Sequence, residues 1–342
     1  KHLGKELKFI PSRVAICILL RELITIGAMI DIARGLPIIH LNFVGFHEQS
    51  HRRGATSRFA YWTLKGIDNS IKRIWKAAHC ANLRDYDVWI YSDHGQQDTV
   101  PYEIKYGRIV QQAVADVFEK SQLLHSHYPG EIGFLLRTGL RNAKFFTEFF
   151  TPVVIDDTIK PILIAFGPVG HLYLNGKSNA DEKRIIAEKL IKQAHIPVVI
   201  LPCPDGKAEV WTKNGKFSIP EDASVLFDPS LRYYREMTED FLDSCRRPDA
   251  GDILIYGWDE EEKVYYSFVN EHGSHGGFRP IETEGFVYVP RNTVLSGREK
   301  GYLRPLDLRQ SVLELLNPAR KKTKKTDVPK DILRVMTYNV HG

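Results

Sequence analysis

Apolar positions recur at helical spacing twice within the first eighty residues, and at strand-like spacing over much of the remaining chain. Residues 11–33 read as an amphipathic helix that stops at Gly35, a residue type that often ends helices. Residues 37–46, PIIHLNFVGF, read as a buried strand, with residues 47–53 as the loop after it. Thr56 or Ser57 can cap a long helix running through Ala78. Phe59, Trp62, Ile67, Ile71, Ile74 and Trp75 would form its apolar face. Residues 86–91 are the next expected strand. Strand, helix and strand, with polar loops at one edge, predict an α/β chain built on a mostly parallel sheet flanked by helices.

The alternation continues. A helix is expected at 106–120, a strand at 161–166 with a turn at Gly167-Pro168, a helix at 181–194 and a strand at 196–201. Asn214-Gly215 inside 210–217 signals a hairpin with a type I′ turn. Further strands are expected at 252–258 and 265–269 around the acidic turn 259–263, and a last core strand at 286–289.

Composition changes this picture in two places. Residues 318–330, PARKKTKKTDVPK, hold six basic residues and two prolines with almost nothing to bury, so they read as a basic linker. The net charge of +5 is mild. Residues 14–32 are the one membrane candidate, but Arg21, Glu22 and Asp31 interrupt them, so a buried amphipathic helix is expected and no transmembrane segment. The four cysteines stand far apart without a CxxC pair, which disfavours a zinc knuckle or disulfide framework and fits a reducing, cytoplasmic setting. Any sorting signal would lie upstream of Lys1.

The candidate chemistry sits in three separated clusters: His47-Glu48-Gln49-Ser50-His51, Ser92-Asp93-His94-Gly95, and His275-Gly276. Imidazole and carboxylate donors in such groups suit zinc and similar ions. Arg52 and Arg53, with Glu48, are candidate substrate contacts, since arginine binds phosphate bidentately. His272 is a second candidate near His275, while His171 reads as a satisfied strand histidine. Trp62, Trp75 and Trp89 read as core, and Cys80 as a helix end.

Over residues 11–295 the order of these motifs resembles the alkaline phosphatase superfamily, closest to its nucleotide pyrophosphatase/phosphodiesterase-like branch. That resemblance implies an alkaline-phosphatase-like sheet and a metal-dependent phosphoric ester hydrolase acting through two divalent ions, zinc in the first instance. His47, His51 and His275 would hold one ion, Asp93 and His94 the other. Two such ions about 3.5–4 Å apart clamp the attacking and leaving oxygens of a phosphoryl transfer.

His47 departs from the pattern, standing where the family has Asp, so the site loses one negative charge and hard ions such as magnesium should bind less well. The nucleophile, a Ser or Thr in that superfamily, has no counterpart here. Ser12 and Thr25 do not follow strands, so the portion carrying it is expected to be missing and this chain to be inactive alone.

Residues 332–342, ILRVMTYNVHG, resemble the opening strand of the endonuclease/exonuclease/phosphatase family, in which the position of Asn339 helps place phosphate and a magnesium ion. The expected organisation is therefore a hydrolase domain at 1–317, the linker at 318–330, and the start of a second domain at 331–342. Two alternatives stay open: a non-catalytic relative of the fold, and a nucleic-acid-processing protein dominated by the downstream module.

Overall fold

The computed structural model describes residues 15–118, 124–126, 161–174, 178–316 and 334–336. The chain divides into two units, residues 1–98 with 281–342, and residues 99–280.

In the first unit a π-helical turn, Ala15–Leu20, runs into the helix Arg21–Ala33, and Gly35 ends it at φ +72°. This helix buries Thr25, Ala28 and Ile32, a face of small and medium side chains. The Thr25 hydroxyl is spent on the Arg21 carbonyl at 2.7 Å. The expected amphipathic helix thus has one buried face, but its other side is apolar too: Leu23, Ile26 and Ile30 face outward.

Residues 37–45 form no strand. Ile38 is 60% exposed, and Gly45 at φ +116° turns the chain into a helix at Phe46–Arg53, the segment expected to be a loop. An apolar run becomes a strand only when a neighbour takes its backbone hydrogen bonds, and none of the described strands pairs with it.

The long helix is as expected at its start. It spans Arg58–His79, with the Ala60 N–H donated to Ser57 Oγ at 3.2 Å. Its buried side is Ala60, Thr63, Ile67, Ser70 and Ala78. Phe59, Trp62 and Trp75, expected in the core, are 47%, 53% and 48% exposed. Gly66 leaves room for the guanidinium of Arg21 on the neighbouring helix, since a Cβ there would fall 1.9 Å from Arg21 Nη1. Trp89 does pack inward, against Leu295 and Leu303.

A four-stranded sheet completes this unit, ordered Ile90–Tyr91, Glu284–Tyr288, Arg334–Met336 and Tyr302–Leu303. The first two pairings are antiparallel and the last is parallel. The strand expected near the chain's end is thus present at Arg334–Met336, where it joins this sheet. The basic segment 318–330 and Asn339 lie outside the described residues.

The second unit is built on a seven-stranded sheet. Its order is Leu124–Ser126, Ile162–Phe166, Val169–Tyr173, Ile253–Tyr256, Val198–Pro202, Ala208–Thr212 and Gly215–Ile219. Only the first pairing is parallel; the rest are antiparallel. A mostly parallel sheet was expected, and short connections decide otherwise. Two residues link Phe166 to Val169 and two link Thr212 to Gly215, whereas a parallel pair needs a crossover of about a dozen or more. A crossover helix, Ala180–Lys192, joins Val169–Tyr173 to Val198–Pro202, and Ile253–Tyr256 is inserted between those strands running the other way.

Helices Val110–Val117 and Ala180–Lys192 bury Val110, Val114, Ala187 and Leu190 in one core with Leu163, Leu172, Val199 and Ile255. Asn179 and Glu182 cap the second helix reciprocally, at 2.9 and 3.1 Å. The expected 106–120 helix is two pieces, Tyr102–Tyr106 and Val110–Val117. The Asn214-Gly215 hairpin exists one residue out of the expected register. Thr212 pairs with Gly215, so Lys213 and Asn214 form the turn, and the positive φ of +137° falls on Gly215 rather than on Asn214. That register keeps Val210 and Ile219 buried, and a one-residue slip would turn them out.

Candidate metal centre

The imidazole cluster of the first unit is assembled by two short devices. The first is the helix Phe46–Arg53. His47 and His51 are four residues apart, hence one above the other on the same face. Their Nε2 atoms are 3.0 Å apart and their ring centroids 4.5 Å. The helix is capped by its own Glu48, whose carboxylate accepts the Gly45 N–H at 2.5 Å. It is seated by Gln49, which is buried and donates Nε2 to Cys17 Sγ at 3.4 Å. Cys17, also buried, lies with Sγ 3.9 Å from the Gly45 carbonyl oxygen.

The second device is the turn after the strand Ile90–Tyr91. Ser92 exchanges two bonds with Phe286, donating its N–H to the Phe286 carbonyl and accepting the Phe286 N–H on Oγ, both at 3.0 Å. Gly95 then donates its N–H to the Glu282 carbonyl at 3.0 Å. No other residue fits there, because a Cβ would sit 2.0 Å from the Ile281 carbonyl oxygen and 2.9 Å from that of Glu284. Pinned at both ends, the turn holds His94 with Nδ1 2.7 Å from the Gly95 carbonyl oxygen. That bond fixes the ring and leaves Nε2 as its outward nitrogen, 3.7 Å from Asp93 Oδ2. The His94 side chain is 5% exposed and that of Asp93 68%.

The two devices meet. The rings of His47 and His94 are 5.3 Å apart at 71°, and each offers a nitrogen within 4.8 Å of the other's. His94, expected at a different ion from His47 and His51, therefore lies beside His47, while His51 meets the cluster through His47. Tyr91 borders it; burial pushes its phenol above the ordinary value, the Asp93 carboxylate adds to this, and His40 Nε2 lies 2.8 Å from its hydroxyl.

No protein-family model matches the chain, and no curated protein matches it either. The case for a metal therefore rests on the donors themselves. The 3.0 Å between His47 and His51 Nε2 is a hydrogen bond between the two rings, somewhat shorter than the about 3.3 Å between two nitrogens bound to one tetrahedral zinc at about 2.0–2.1 Å. Nitrogen donors with one carboxylate suit zinc better than magnesium.

The other expected site residues fare differently. Glu48 is occupied as the helix cap. The Arg53 guanidinium lies over the Phe59 ring at 5.9 Å, and Arg52 and Arg53 are half-buried on the last turn of the helix. His275 belongs to the second unit, in the turn after the strand Gly273–Ser274, and the donors named above are those of the first unit alone. The His272 carbonyl accepts the Thr99 N–H at 2.9 Å. His171 is a strand residue whose Nδ1 accepts the Gly251 N–H at 3.1 Å.

Cys17 and Gln49, which seat the helix, were not singled out from the sequence. The one available signal was the four-residue histidine spacing with Glu three places after Gly45, a helix-start pattern.

Proposed function

We propose that the first unit binds a divalent transition-metal ion, zinc in the first place, through His47, His51 and His94, with Asp93 at the rim, in the service of phosphoric ester hydrolysis. The observation that carries the metal reading is that His47 and His94 each offer a nitrogen within 4.8 Å of the other's, with His51 Nε2 3.0 Å from His47 Nε2. The ester reading rests on the resemblance in motif order, which also suggests a second ion. A bound zinc would supply Lewis acidity toward a phosphoryl oxygen. What the chain contributes is a rigid imidazole set: one pair fixed by a capped helix, the third ring aimed by its bond to Gly95. The attacking nucleophile is not assigned to any residue.

The same His-Glu-x-x-His helix is also the pattern of zinc peptidases, where the Glu acts as base. Glu48 argues against that use, because its carboxylate is turned to the Gly45 N–H at the helix start.

The test is metal-linked stability. A ligand at a hundred times its dissociation constant stabilises by about 2.7 kcal/mol, so zinc should raise the melting temperature by several degrees. His51→Ala and His94→Ala should each remove most of that rise. Equal zinc response in wild type and both first-unit variants refutes the site. A zinc response without hydrolysis of phosphomonoester or phosphodiester reporters favours a non-catalytic relative.

A further inference from the structure

The long helix Arg58–His79 buries one side, Ala60, Thr63, Ile67, Ser70 and Ala78, and presents the other to solvent. Arg58, Lys65, Lys72 and Lys76 are all exposed and follow one another at steps of seven, seven and four residues. At 3.6 residues per turn those steps are close to two, two and one turns. All four cations therefore lie on the side away from the buried residues, over about 27 Å. Tyr61 and Trp62 are 60% and 53% exposed. Each stands three or four residues from both Arg58 and Lys65, so the helix itself sets the two rings between those cations.

None of the four cations makes an ion pair among the described residues. Asp68, the helix's single carboxylate, is within a turn of Lys65 and Lys72 and pairs with neither among those residues. Arg73, in contrast, is neutralised by Glu22 at 2.6 Å. The outer face of this helix is thus positive along its length, with two aromatic rings near its start.

We propose that this face binds single-stranded nucleic acid, with backbone phosphates along the cations and a base stacked on Trp62, independently of the metal centre. A nucleic-acid strand answers both kinds of group, since every nucleotide carries a phosphate charge and a flat base. A surface-lying membrane helix would instead need aliphatic side chains beside its cations. Leu64 is the helix's one exposed large aliphatic residue, and as the neighbour of Lys65 in sequence it lies about 100° round the axis from it. No described helix is long and apolar enough to cross a membrane. A carboxylate-rich peptide would pair with the cations but has no planar group to lay on the rings. In a duplex the bases are stacked on one another, out of reach of the indole.

The test is fluorescence anisotropy of a labelled oligothymidylate of about fifteen nucleotides, titrated with the full chain at several salt concentrations. Each phosphate neutralised on a single strand contributes about −0.7 to the slope of log affinity against log salt. Lys65→Gln/Lys72→Gln/Lys76→Gln should therefore make that slope shallower by about 2. Trp62→Ala should weaken binding about fivefold or more and leave the slope unchanged, because it removes a stacked base and no charge. The basic segment 318–330 is common to all these proteins, so the differences report the helix. Every substituted position is exposed, so both variants should keep the wild-type melting temperature. Absence of oligonucleotide binding at low salt, an unchanged slope in the lysine variant, or full affinity in Trp62→Ala each overturns the proposal. So does equal affinity for polyglutamate, or binding to phosphatidylserine vesicles without binding to the oligonucleotide.

Discussion

Replacing Gly95 by Ala tests whether the turn after Ile90–Tyr91 is as tight as it looks and whether it aims His94. The new Cβ would stand 2.0 Å from the Ile281 carbonyl oxygen, 2.9 Å from the Glu284 carbonyl oxygen and 3.0 Å from the Ile281 carbonyl carbon. All three are backbone atoms, so no side chain can swing aside; the turn must retreat by about an ångström or more to reach ordinary contact. Overpacking of this kind costs about 1–3 kcal/mol. Retreat also lengthens the Gly95 N–H bond to the Glu282 carbonyl, now 3.0 Å, whose loss adds about 0.5–1.5 kcal/mol. The sum is roughly 2–4 kcal/mol, or about 5–15 °C in melting temperature for a unit of this size.

The second consequence is specific to the site. His94 Nδ1 is bonded to the Gly95 carbonyl at 2.7 Å, so a displaced turn rotates the ring. Zinc affinity should then fall about tenfold or more, the usual effect of losing a partner that orients a metal-bound histidine. Differential scanning calorimetry with and without zinc, and zinc titration at a temperature where the variant is folded, separate the two effects. A variant that melts with wild type would refute the packing argument. One that melts low but binds zinc normally would refute the link between the turn and His94.

Two further predictions concern stability alone. Gly27 lies inside the helix Arg21–Ala33, and a Cβ there meets nothing within 4 Å, so Gly27→Ala should stabilise by about 0.5–1 kcal/mol, read as a rise in the denaturation midpoint. A fall would mean that the helix is not formed over this turn. Burial holds the His171 imidazole below its ordinary pKa, and its Nδ1 accepts the Gly251 N–H, so the folded chain keeps it neutral. Above about pH 6.5 both folded and unfolded forms are neutral and nothing changes. Below it the unfolded chain takes the proton first, so this residue should cost stability as pH falls from about 6.5 toward its lowered folded value. His171→Asn should flatten that part of the melting-temperature profile; an unchanged slope would locate the titration elsewhere.

Local instructions were legible along the chain wherever they are carried by neighbours in sequence. The Ser57 cap, the stop at Gly35, the strand 162–166 with its Gly167-Pro168 turn, and the Asp93-His94-Gly95 turn are each set by a few adjacent residues. What the sequence could not contain was the identity of the neighbour. Residues 37–45 carry a strand's composition and lack a strand to pair with, because hydrogen bonding across a ladder depends on another segment's position. The parallel sheet failed for the same reason, since the inserted Ile253–Tyr256 strand comes from about fifty residues downstream of Val198–Pro202. Hydrophobic spacing likewise gave each helix a period but not the face that is covered. Thr25, Ala28, Ile32, Ala60 and Ser70 are buried and Trp62 is exposed, a choice of face that depends on which other elements pack against each helix. Only folding brought the His47 and His94 rings together, through a capped helix and a pinned turn separated by more than forty residues.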